Sequence, residues 1–113
     1  MENWPLRPYE GMGPLRLGVS REAVWASFGK PDKTARKFDD LYRERGIVLR
    51  YDEQDVLGGI DASKKTRVTY QGQLLFDIGL DATMAILRHD DPHPVHSLGS
   101  VYLPEMGIVL YVE

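Results

Sequence analysis

The chain contains no cysteine, so disulfides and thiolate chemistry are excluded and nothing calls for an oxidising compartment. It has no apolar run near the roughly 20 residues needed to span a bilayer. The opening residues Met1-Glu2-Asn3-Trp4-Pro5 lack the charged-then-apolar pattern of a signal peptide. A cytoplasmic protein with no membrane partner is the expectation. An excess of positive charge is missing too. The formal net charge of −3 and the pI near 5.6 disfavour nucleic acid as a ligand, because phosphate binding needs a clustered cationic surface. Catalytic signatures are equally scarce. The glycine-rich segment Gly11–Gly18 precedes a helix start, but it has no Lys-Ser/Thr ending and no Gly-x-Gly-x-x-Gly spacing, and Pro14 removes an amide donor. Ser20, Ser27, Ser63, Ser97 and Ser100 show no nucleophile-elbow context. The sequence therefore reads as non-enzymatic and without a cofactor.

What the chain does have is internal similarity. Gly-Ile-Val-Leu occurs at Gly46–Leu49 and again at Gly107–Leu110, and a Tyr-x-Gly step stands upstream of each, at Tyr9 and Tyr70. The interval from Tyr9 to Tyr70 equals that from Gly46 to Gly107, while Trp25 and Met84, on the helical segments between, are slightly closer. Two copies of one supersecondary unit follow from this spacing. At 113 residues, 42% hydrophobic and 27% charged, the chain fits a single domain over 1–113, with repeats at about 9–62 and about 67–113. The expected fold class is α+β: two helix-then-antiparallel-strands units, with short helices on one face of the sheet.

Local signals place the elements. Ser20 is a good N-cap, Glu22 suits the helix dipole, and Gly29 with Pro31 supplies a stop, so Arg21–Phe28 reads as a helix. Leu80, Met84 and Leu87 mark a second helix that ends before Asp91-Pro92. Strands are expected at Lys33–Phe38, Leu41–Arg45, Ile47–Tyr51, Val56–Asp61, Arg67–Tyr70, Val95–Leu98, Val101–Leu103 and Ile108–Val112. Asp39-Asp40 and Asp52–Asp55 read as turns. Met1–Pro8 reads as a surface arm, its Trp4 covering an apolar edge or serving as an interface anchor. Trp25 and Met84 are expected in equivalent buried positions over Ile47, Leu49, Ile108 and Leu110.

The run Gly13-Pro14-Leu15-Arg16-Leu17-Gly18-Val19-Ser20, continued by Phe28-Gly29-Lys30-Pro31-Asp32 and by the strand Gly46–Asp52, resembles a widespread bacterial pattern. It is similar to the repeat unit of the β-lactamase inhibitor protein fold, shared with small outer-membrane assembly lipoproteins and with short cytoplasmic proteins encoded beside bacterial toxins. The resemblance covers Tyr9–Tyr51 well and Tyr70–Val112 weakly. It implies a layer that binds another protein, and it transfers no catalytic residue. The missing cysteine argues against the lipid-anchored branch.

The expected function is therefore that of an immunity protein that binds and neutralises a cognate toxin. Alternation puts Arg50 and Tyr111 on the open sheet face, and Asp39, Asp40, Asp52 and Glu53 are expected around them as an acidic rim toward a basic partner. The alternative is a small-ligand or metal-sensing module using His89–His96, which holds all three histidines. Spacing weighs against it: Pro92 and Pro94 forbid the helix that would bring His89 and His93 together, and no metal is expected.

Overall fold

A computed structural model of the chain describes residues 3–35, 37–97, 99–104 and 106–111. In chain order the elements are β1 (Asn3–Arg7), β2 (Gly11–Met12), β3 (Leu15–Arg16), α1 (Arg21–Phe28), β4 (Lys33–Ala35), β5 (Asp39–Tyr42) and β6 (Ile47–Tyr51). There follow β7 (Leu57–Ala62), β8 (Arg67–Tyr70), β9 (Gln73–Leu74), α2 (Leu80–Leu87), β10 (Val95–Ser97), β11 (Ser100–Leu103) and β12 (Ile108–Tyr111). They build a five-stranded sheet ordered β3-β2-β1-β8-β9 and a seven-stranded sheet ordered β10-β11-β12-β7-β6-β5-β4.

This corrects the expected fold class. Strands make up 43% of the structure and the two short helices 15%, in two mixed sheets rather than a helix-then-strands repeat. The reason lies in pairing between distant segments. Both Gly-Ile-Val-Leu strands flank the same strand, β7, but β6 pairs with it antiparallel and β12 parallel. β8, expected to sit with the second unit, instead pairs parallel with β1 in the other sheet. Parallel neighbours need a long crossover, so β1 and β8 enclose half the chain between them.

The supposed arm is thus a strand. From Asn3 onward it is β1, with Trp4 and Leu6 buried, and only Met1 and Glu2 fall outside the described residues. Pro5 is tolerated inside this sheet because a residue's amide and carbonyl point the same way along a strand. Both point toward Gly13: the Pro5 carbonyl accepts from Gly13 N at 3.0 Å, and the Gly13 carbonyl, which an amide at position 5 would fill, accepts from Arg7 Nη1 at 2.8 Å.

Local signals held where capping set them. Ser20 Oγ accepts from Ala23 N at 3.1 Å and Gly29 N closes on Trp25 O at 3.2 Å, giving α1 its two ends. α2 has no side-chain cap; the Thr83 hydroxyl lies 2.7 Å from Gly79 O and 2.9 Å from Leu75 O, fastening its start. On α1 the buried residue is Val24, whereas Trp25 and Met84 are only partly covered, against expectation. The Leu80 side chain, expected on a helix face, and Leu98 and Val112, expected at strand ends, lie outside the described residues.

One cluster of buried side chains draws on both sheets. Trp4, Leu6, Met12, Val68 and Tyr70 come from the smaller sheet, and Ile47, Leu49, Ile60, Val101, Ile108 and Leu110 from the larger. The loop before α1 is stitched to the start of β7 by Gly18 N to Leu57 O and Leu57 N to Val19 O, both 2.8 Å. Ile60 stands at the centre, in register with Leu49 on one side and Ile108 on the other, and is fully buried. Ile60→Ala is expected to cost about 2–5 kcal/mol, read as a lower urea midpoint at unchanged slope.

Candidate functional site

The acidic pair Asp39-Asp40 is not a turn. The turn lies just before it, with Lys37 at φ 67, and both aspartates belong to β5. Alternation then sends them to opposite faces. Asp40 is fully buried on the inner face, which removes it from the expected acidic rim. Its carboxylate accepts from Arg21 Nε at 3.2 Å, Arg21 Nη2 at 2.9 Å, Trp25 Nε1 at 2.8 Å and Thr34 Oγ1 at 2.8 Å. Burial alone would push this carboxyl up. The hydrogen bonds from Arg21, Trp25 and Thr34, with the charge of Arg21, outweigh that and hold it below the ordinary range. Arg21 also reaches Asp55 Oδ1 at 3.1 Å and Lys37 O at 3.2 Å, and its guanidinium lies 4.5 Å from the centre of the Tyr51 ring. Every nitrogen of that guanidinium is thus engaged within the fold. The open depression beside it, bounded by Ser20, Glu22, Trp25, Gln54 and Asp55, meets a cation already committed.

Asp39 points the other way, onto the outer face of the seven-stranded sheet, in register with Arg50. There Arg50 Nε donates to Asp61 Oδ1 at 2.9 Å, and the Tyr111 hydroxyl lies beside the same carboxylate. The two residues expected at the partner face therefore meet at a third that the sequence reading missed. Burial raises the Asp61 pKa, with Asp39 adding to the rise, while the charge and hydrogen bond of Arg50 and the nearby Tyr111 hydroxyl oppose it. Burial likewise raises that of Tyr111, and the Asp61 charge adds to it. Gly59 makes room for this arrangement. Arg50 lies across it so closely that a Cβ there would stand 2.6 Å from Nη2.

Val95, Tyr102 and Tyr111 are among the most exposed large apolar side chains, at 50%, 39% and 44%, and all three share this outer face. Tyr102 was readable from alternation, since Val101 and Leu103 on either side are fully buried. Asp61 was readable only by pairing β6 with β7, which sets it opposite Val48 and one step from Arg50. Asp52 and Glu53 lie where expected, exposed in the turn after β6. Asp52 also accepts from Gln54 N at 2.8 Å and Val56 N at 3.0 Å, so it shapes the turn it sits in.

The histidines do not converge. His89 follows α2, His93 lies in a bend, His96 is in β10, and each is exposed. Among the described residues no group of three or more His, Asp or Glu side chains is placed to hold a metal. Nor is any helix among them long and apolar enough to cross a membrane. Neighbouring acids are spent elsewhere: the Tyr70 hydroxyl bonds the Asp90 carboxylate, and Asp91 is buried, accepting from His93 N at 3.3 Å.

No protein-family model, curated protein or solved structure matches this chain.

The Asp40 network makes a sharp stability prediction. Asp40→Ala strands Arg21 in a largely buried position, and breaking a buried pair this way costs about 3–5 kcal/mol at neutral pH. The folded carboxyl titrates below its unfolded counterpart. Its stabilisation is therefore complete above the ordinary aspartate value of about 3.9 and is lost as pH falls through the lower folded value. Urea unfolding at pH 7 and near pH 3 is expected to show the gap between wild type and variant shrinking in acid.

Proposed function

We propose that this chain is a non-enzymatic binding protein that seats a protein partner on the outer face of its seven-stranded sheet, the partner being a bacterial toxin neutralised in the cytoplasm. The observation that carries the reading is the meeting of Arg50, Asp61 and Tyr111 on a face where Val95, Tyr102 and Tyr111 stand exposed together. Contiguous exposed apolar surface around a few fixed polar groups is the composition of an interface centre, where tyrosine and arginine are over-represented. Asp39 borders this centre, and Asp52 and Glu53 lie in the turn at its end, which supports a partner whose contacting surface is basic. The choice of a toxin rests on the resemblance of the Gly13–Asp32 pattern to short proteins encoded beside toxins.

The test is growth rescue against the product of the adjacent gene, paired with binding kinetics on the purified proteins. The neighbour alone is expected to arrest growth and the wild-type chain to restore it. Tyr111→Ala and Tyr102→Ala are expected to weaken binding about 30-fold through faster dissociation, a hot-spot loss of roughly 2 kcal/mol. Glu53→Lys is expected to slow association, most visibly at low salt. Circular dichroism checks that each variant is folded. A harmless neighbour, or full protection by both tyrosine variants, overturns the proposal.

A further inference from the structure

The outer face is bracketed by opposite charge. At one end the turn between β5 and β6 meets the segment after β7: Ser63 N donates to Gly46 O at 3.0 Å, Lys65 Nζ to Arg43 O at 3.2 Å, and the Thr66 hydroxyl bonds Arg45 O. Gly46, at φ 66, is required there, since a Cβ would lie 2.1 Å from Ser63 Oγ. The junction gathers the exposed side chains of Arg43, Lys64 and Lys65, with Asp32 and Glu44 beside them, while the Arg45 guanidinium turns to the inner side, 4.7 Å from the Phe28 ring centre and 5.8 Å from that of Trp4. At the other end lie Asp39 and the turn residues Asp52 and Glu53, with Lys37 beside them; Asp55 of the same turn is held by Arg21. β6 and β7 run from one end to the other.

We infer that the outer face pairs with the outer face of a second copy of this chain. The charge pattern selects the geometry. A two-fold axis lying between the faces and perpendicular to β6 makes the strands of the two copies antiparallel, so each basic end covers the other's acidic end. An axis along the strands would set like charges together. The same operation treats the apolar residues well. Tyr102 pairs in register with Val109, and Tyr111 with Ser100, so the two tyrosines occupy neighbouring strands at adjacent levels. The operation keeps each strand over its own counterpart, so β11 with Tyr102 and β12 with Tyr111 cross the same two strands of the other copy. Such an isologous contact closes on itself and gives a dimer rather than a filament. Strand spacing and rise make the face about 30 Å by 17 Å, or about 500 Å² per copy. That is below the roughly 800 Å² per partner of a standard stable interface, so the pairing is weak, reversible and screened by salt. A partner protein on the same face would displace it.

This inference rests on the outer face being the docking surface, and sedimentation velocity on the purified chain tests it without any partner. The average mass is expected to climb from 12.8 kDa toward twice that value as protein concentration rises from the micromolar to the millimolar range. The dissociation constant should weaken at least about tenfold between about 0.05 M and 0.5 M salt. Tyr102→Glu is expected to remain monomeric. Arg43→Glu/Lys64→Glu and Glu53→Lys/Gln54→Lys should each fail to pair alone, because one end of every contact becomes repulsive. Mixed in equal amounts, they should pair again, because both ends are then complementary. A monomer at every concentration, association that Tyr102→Glu leaves intact, or a mixture that stays monomeric overturns the inference. Growth rescue reads partner binding separately, so a monomeric protein whose tyrosine variants still lose protection overturns self-pairing alone.

Discussion

The buried carboxylate of Asp40 is the constraint on which the arrangement around α1 depends. A fully buried charge is tolerated only where every lone pair is filled, and here four donors from three residues on two elements converge on it. Arg21 and Trp25 fix the rotation of α1, Thr34 fixes β4 against β5, and the reach of Arg21 to Asp55 draws in the turn after β6. A buried ion pair of this kind contributes little net stability compared with an apolar substitute, yet it punishes misplacement severely. Its consequence is register. Shifting β5 by one residue would bury Asp39 against Leu49 and throw Asp40 into solvent, leaving Arg21 without its partner. The inner network thus decides which aspartate appears on the outer face.

That outer face shows a different kind of constraint. Arg50, Asp61 and Tyr111 meet above a glycine rather than above a packed side chain. Asp61 is the more buried member of its ion pair, its side chain 12% exposed against 37% for Arg50. Part of the desolvation that a docking partner would demand of this carboxylate is therefore already met in the free fold, and the Tyr111 hydroxyl is already set beside it. Both features lower the ordering cost of association, which is where interfaces of modest area gain or lose affinity.

The parts of the structure legible in the sequence were those set by neighbours in the chain. α1 spans the residues its cap and stop announce, and β6 and β8 match their expected spans, Ile47–Tyr51 and Arg67–Tyr70. The inward set Ile47, Leu49, Ile108 and Leu110 followed from alternation, and each is buried. Sheet membership was not legible, because two similar strands can flank one neighbour in opposite directions, as β6 and β12 do, without any local sign. β1 was hidden by Pro5, whose missing amide is replaced at the Gly13 carbonyl by the Arg7 side chain. Asp40 was hidden because β5 inverts the usual pattern: Asp40 is buried while Leu41, its neighbour, is partly exposed. Such inversions arise where a polar group has enough partners to be enclosed, and the partners here come from positions as remote as Arg21.

Seen together, the two faces of the larger sheet divide the work of the sequence. On the inner side, charge is neutralised locally and completely, so it fixes structure and has nothing left to offer a partner. On the outer side, charge is neutralised only at the centre, through Arg50 and Asp61, while the turns at the strand ends keep theirs. Among the described residues, the exposed turn charges other than Asp55, which Arg21 holds, stand at opposite ends of the same strands, held apart by the length of β6. Since exposed charges act over about a Debye length, roughly 8 Å at physiological salt, two opposite clusters separated by about 17 Å remain distinct to an approaching molecule. A uniformly acidic protein would attract any basic surface in any orientation. This one distinguishes orientations, and a strand-length separation of charge is sufficient to do so.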